Sequence, residues 1–125
     1  MNQDMLAQLN ALRERPKFVA EPGTLYNGLR PEEVRQVAEH KLNDLIERLI
    51  SGAGDPPAKD FVLAQFAETL DRFPGSDTED RERMCDYLSE IMDILVIESS
   101  DGLLNRWMYG GSLSDLLTQQ GNKSN

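Results

Sequence analysis

Apolar residues recur along the chain at the three- and four-residue spacing of a buried helix face, and proline and glycine punctuate the segments that carry this spacing. Met5, Leu6, Leu9 and Leu12 share one side of a helix predicted over 3–15. Pro16 closes it, because proline disfavours the α region in the residue before it. A helix this short holds only when docked. The next start is Leu29-Arg30-Pro31-Glu32-Glu33-Val34, which puts proline at the first helical position and two acids at the positive end of the helix dipole. Leu29 and Val34 are spaced as a hydrophobic staple. The helix predicted over 31–51 carries Val34, Val37, Ala38, Leu42, Leu45, Ile46, Leu49 and Ile50 inward, and Gly52 to Pro57 ends it.

A third helix, over 57–73, presents Phe61, Val62, Phe66, Ala67, Leu70 and Phe73 before Pro74-Gly75. The fourth opens on a capping box of Ser76 and Glu79, with Asp77 and Thr78 as rival caps, and runs to about Ile97 with Met84, Leu88, Ile91, Met92 and Leu95 inward. After the turn Ser99-Ser100-Asp101-Gly102, a short fifth helix holds Leu103, Leu104, Trp107 and Met108 and stops at Gly110-Gly111. Leu113, Leu116 and Leu117 would add one loose turn. Between the first two helices, 17–29 reads as an ordered loop pinned by Phe18, Val19, Leu25 and Tyr26. A strand there would lack an obvious partner. These elements predict an all-α, compact single-domain bundle of four to five helices with short loops, successive long helices packing antiparallel. In this division 1–16 is an N-terminal helix free to dock, 17–111 the bundle core and 112–125 a loose tail.

Two segments, Thr78-Glu79-Asp80-Arg81-Glu82-Arg83 and Glu98-Ser99-Ser100-Asp101-Gly102-Leu103-Leu104-Asn105, together with the Leu29-Arg30-Pro31 helix start, resemble an all-helical bacterial family catalogued as domain of unknown function 4844. The resemblance spans roughly 29–110. It implies a helical bundle and supplies no activity, since the matching motifs are caps and turns.

Composition narrows the function classes. The 125 residues, 39% of them hydrophobic, suffice for one core and leave no room for a second domain. A formal charge of −9 argues against nucleic acid and against an anionic membrane surface, both of which require a basic face. Met1-Asn2-Gln3-Asp4 lacks the basic flank and apolar stretch of a secretory signal, so cytoplasmic residence is the expectation. A single cysteine, Cys85, excludes an internal disulfide and a cysteine-based zinc cluster. Beside Met84 and Asp86 it reads as an inert thiol.

The charge is concentrated. From Ser76 to Glu98 eight acids face only Arg81 and Arg83, a balance of −6, whereas 1–29 and 99–125 are each neutral. Asp77, Glu79, Asp80, Glu82, Asp86, Glu90 and Asp93 therefore form the candidate surface for a basic protein partner, against the plainer reading of a solvated face. A calcium loop is not indicated, because acids at alternating loop positions and a central glycine are missing. His40, Asp44 and Glu47 share one stripe of the second helix and read either as partial metal ligands or as a solvated polar face. The Glu-x-x-His pattern of di-iron bundles is absent, since Val37 stands where the glutamate would be. Asp101, Asn105, Arg106, Trp107 and Tyr109 are the second candidate, a pocket or interface near the fifth helix, against core packing of Trp107. No catalytic motif, phosphate loop, metal set or cofactor signature emerges.

The leading expectation is thus a small interaction module docking a basic protein, in one concrete form an immunity or antitoxin-like mask for a nuclease. The alternatives are a small-ligand binder or enzyme with a pocket near Trp107, and a structural homo-oligomer exchanging apolar residues of 1–12 or 113–117.

Overall fold

The computed structural model describes residues 1–110. Among them are five helices: α1 (Gln3–Glu14), α2 (Glu32–Gly52), α3 (Lys59–Asp71), α4 (Thr78–Leu95) and α5 (Leu103–Gly110). The all-α expectation is met. The expected turn around Leu113, Leu116 and Leu117, and the tail at 112–125, lie outside the described residues. None of these helices is long and apolar enough to cross a membrane.

Helix starts follow local chemistry with small departures. Asn2 caps α1, its side chain accepting from the Met5 N–H at 2.8 Å. Pro31 is the cap of α2 rather than its first residue, and its carbonyl takes the Val34 and Arg35 N–H groups, both at 3.0 Å. Helix α3 begins at Lys59, later than 57, because the Ala58 N–H bonds back to the Ala53 carbonyl at 2.8 Å and closes a turn through both prolines. In α4 the cap is Asp77 with no side-chain bond, so the expected Ser76–Glu79 box is not used. The helix ends at Leu95, where Val96 turns left-handed at φ 58° and the Ile97 N–H returns to the Met92 carbonyl at 2.9 Å, closing the last turn as a glycine cap would.

The helices close a ring. Helix α2 packs against α1 and α3, α4 chiefly against α1 and α5, and α5 also against α3. The short fifth helix, rather than direct antiparallel contact between α3 and α4, thus completes the bundle. Leu9 and Leu12 of α1 are fully enclosed with Leu42, Leu45, Leu49, Leu88 and Ile91, so α1 is integral to the core and its apolar face is occupied within its own chain.

The 17–29 loop contains no helix or strand, and two of its four expected apolar pins hold it. Phe18 is fully buried at φ 60°, its ring 5.1 Å from Tyr87 and 5.6 Å from Phe73. Phe73 continues this aromatic line to Trp107 at 5.5 Å. Tyr26 is buried too, but Val19 and Leu25 face solvent, Leu25 at 92% exposure. Gly28 sits at φ 85° where an added Cβ would lie 2.9 Å from the Ala20 nitrogen, so only glycine lets the loop close on itself. Lys17 anchors the other end. Its buried ammonium donates to the carbonyls of Leu12, Arg13 and Arg15 at 2.7, 2.9 and 2.6 Å, satisfying the C-terminal end of α1.

Candidate functional site

The acids of α4 divide according to helical phase. Asp80, Met84, Leu88, Ile91 and Leu95 recur at three- and four-residue steps, so Asp80 lies on the core stripe and is buried. Its carboxylate accepts from the Tyr26 hydroxyl at 2.8 Å, and burial pushes its pKa up, a shift that the Tyr26 bond opposes. The expectation that Asp80 belongs to an outward docking face is therefore corrected: it holds the 17–29 loop to α4. Burial and the bond to Asp80 raise the pKa of Tyr26.

Glu79, Glu82, Asp86, Glu90 and Asp93 fall on the opposite phase and line a trough along the helix. From Glu79 to Asp93 the stripe is about 21 Å long at the α-helical rise. Three clefts of about 310, 430 and 390 Å³ adjoin one another along it, the first two sharing Arg83 and Asp86 and the last two sharing Arg15 and Glu90. Their other wall comes from α1 (Gln8, Ala11, Leu12) and from the loop (Pro16, Val19, Glu21, Pro22, Leu25). Asp77 is exposed at the head of the helix and lies outside these clefts.

Ion pairs fasten the walls. Arg15 reaches Glu90 at 2.7 Å and Arg83 reaches Glu21 at 2.9 Å, with the Arg83 guanidinium 4.7 Å from the Tyr26 ring centre. The Glu90 bond raises the Arg15 pKa further. The Tyr87 hydroxyl accepts from the Phe18 N–H at 3.0 Å and fixes the loop over the middle cleft. Among the described residues Glu79, Glu82, Asp86 and Asp93 have no ion-pair partner. Cys85, on the neighbouring phase, has its pKa pushed up to about 11 by burial and then by Asp86, so it is a poor nucleophile.

The second candidate does not assemble. Trp107 is buried, donating from its indole to the Leu70 carbonyl at 3.1 Å under the Arg81 guanidinium at 4.0 Å, while Arg81 also donates to the Trp107 carbonyl. Asn105 and Tyr109 point to solvent on another face of α5. Asp101 pairs with Lys59 at 3.0 Å, and Arg106 donates to the Asp101 carbonyl at 3.2 Å. Alternate residues of one helix diverge, so Trp107 enters the core as the others leave it. On α2, His40 stands 3.4 Å from Asp44, but Glu47 turns to Arg13 at 3.3 Å. Among the described residues no three His, Cys, Asp or Glu side chains converge as a metal-binding set.

The trough's far wall was not expected from the sequence. Nothing local couples Arg15 to Glu90 or Glu21 to Arg83. Val19 and Leu25, expected to pin the loop, stand on that wall instead.

With that geometry in view, comparison places the chain among helical domains. A family model described as a domain of unknown function, DUF4844, matches residues 1–112, reaching further toward the N-terminus than the motifs at 29–110. The crystal structure of a DUF3571 family protein from Acinetobacter baumannii AYE is similar at TM-score 0.76 and 31% identity, over 90% of this chain and 94% of that one. No curated protein matches.

Proposed function

Since the chain belongs to the DUF4844 family, whose description assigns no activity, its surface is the guide to function, and we propose that it is an interaction module that docks a basic segment of a partner protein along the acidic trough of α4. The observation that carries this reading is the alignment of Glu79, Glu82, Asp86 and Asp93, without ion-pair partners among the described residues, along one concave stripe. Charges held on one helix face and walled on the far side focus their field on an approaching cation. Such a field speeds encounter and rejects acidic partners more than it adds affinity. Leu25, at one end of the trough, supplies exposed apolar area for an adjoining contact. A partner of this kind could be a nuclease whose basic surface is masked, which is the immunity or antitoxin-like form of the reading.

The test is capture from source lysate at low and high salt by the wild-type chain and by Glu79→Gln/Glu82→Gln/Asp93→Asn. A basic protein held by the wild type at low salt, released at high salt and not held by the variant is the expected result. A partner set indifferent to the three substitutions would rule the trough out.

A further inference from the structure

Of the three clefts, the middle one is lined by the end of α1, the loop and α4 together, whereas one end lacks α1 and the other lacks the 17–29 loop. Its charged lining is Arg15, Glu21, Arg83, Asp86 and Glu90. Two ion pairs, Arg15–Glu90 and Arg83–Glu21, consume both cations and two of the three carboxylates. Asp86 remains between them with no ion-pair partner among the described residues, so the lining carries a net charge of −1. The rest of the wall is apolar or aromatic, notably Val19, Pro22 and Tyr87.

We propose that this cleft seats one arginine side chain of the docked partner, its guanidinium on the Asp86 carboxylate and its alkyl stem along Val19 and Pro22. This rests on the docking reading and names its central anchor. One monovalent cation completes the charge balance of the cleft. A single carboxylate is too few ligands for a divalent metal, whereas it matches a guanidinium, which binds both carboxylate oxygens in one plane. At about 430 Å³ the cleft also admits the backbone on either side of the anchor. Arginine is preferred to lysine because its planar fork meets Asp86 while its weaker hydration lowers the cost of entering a half-apolar site. An anchor of this kind, in a pocket at the centre of a contact, is where binding energy concentrates.

The experiment is an NMR titration of the full chain with blocked tripeptides of glycine flanking arginine, lysine or citrulline, read at the amides of Val19, Glu21, Asp86 and Tyr87. Saturable shifts at these amides with the arginine peptide, weaker binding of the lysine peptide and no response to citrulline are expected. Asp86→Asn, at an exposed position, is expected to weaken arginine binding about tenfold or more, the loss typical of a charge-assisted bond. Asp44→Asn on α2, remote from the cleft, serves as the unaffected control. Equal binding of citrulline or lysine, or an Asp86→Asn variant that binds as the wild type does, would overturn the assignment. A longer lysine-glycine peptide in the same titration separates the two ideas. If its binding still depends on Glu79, Glu82 and Asp93, the trough docks basic chains without an arginine seat; if it is indifferent to them, the docking reading itself fails.

Discussion

Three side chains do unusual work for their type, and each gives a stability measurement. The Tyr26 hydroxyl is the donor that holds the buried Asp80 carboxylate, so Tyr26→Phe leaves a desolvated acceptor and is expected to cost about 1–3 kcal/mol at neutral pH in urea unfolding. The pH dependence has a definite sign. Because the folded pKa of Asp80 is raised, the folded state takes up its proton before the unfolded chain does, and the stability this provides is present below the unfolded pKa and lost as pH rises through the folded one. The Tyr26→Phe penalty should therefore shrink on mild acidification, and Asp80→Asn should abolish this dependence. A penalty constant from neutral to acid pH would mean that the bond does not serve the charged form. Lys17→Met removes an ammonium that bonds three carbonyls and leaves the end of α1 unsatisfied, an expected loss of about 2 kcal/mol or more by the same unfolding measurement. Neither role was legible in the sequence: Lys17 carries no local signal of its three carbonyl partners, and Asp80 groups with the outward acids of its run. Burial is decided by helical phase together with the loop that covers it, and composition reports neither.

At the scale of elements, what was legible was what local chemistry controls. The stripes of α2 and α4 and the helix-ending prolines and glycines could be read because apolar spacing and backbone sterics act within a few residues, whereas the expected staple is out of register, since Pro31 as the cap puts Leu29 two residues before it and Val34 at the third helical position. Boundaries moved where a non-helical bond competed, as where Ala58 bonds to Ala53, or where a side chain declined its cap, as at Asp77. The end of α4 shows a cost the sequence did not advertise. Val96 occupies the left-handed cap at φ 58°, ψ 45°, a conformation that crowds its β-branched side chain, and that side chain is 76% exposed and gives little packing in return. Val96→Gly is expected to stabilise the fold by about 1 kcal/mol in thermal or urea unfolding, the difference between a strained cap and the residue that ordinarily fills it. Loss of stability on this substitution would instead show that the Val96 side chain holds something in place. Gly28→Ala is the converse case, expected to destabilise because both its φ of 85° and the 2.9 Å approach to Ala20 exclude a side chain.

For the whole molecule, the sequence located the charge but not the shape that gives it a use. The −6 balance of 76–98 was countable, but the sequence groups the buried Asp80 with the outward acids, and the opposing wall comes from α1 and a loop some seventy residues earlier. Contacts of that separation leave no local pattern, which is why the Trp107 cluster stood as an alternative until the fold sent Trp107 inward, the core packing weighed against it. The same architecture sets opposing demands on one surface. Like charges along α4 repel one another in the free protein, so Glu79→Gln/Glu82→Gln/Asp93→Asn should leave the melting temperature unchanged or raise it, while salt should stabilise the wild type more than the variant. A substitution that maintains or improves folding yet slows association with a basic partner separates a binding surface from a solvated one, because a face kept only for solubility would show no change in association. With steering as the mechanism, the loss should appear mainly in the association rate and should fade as ionic strength rises and the Debye length falls below the width of the cleft. Stopped-flow association at two salt concentrations measures both, and a loss confined to the dissociation rate would instead assign these acids to direct contacts in the bound state.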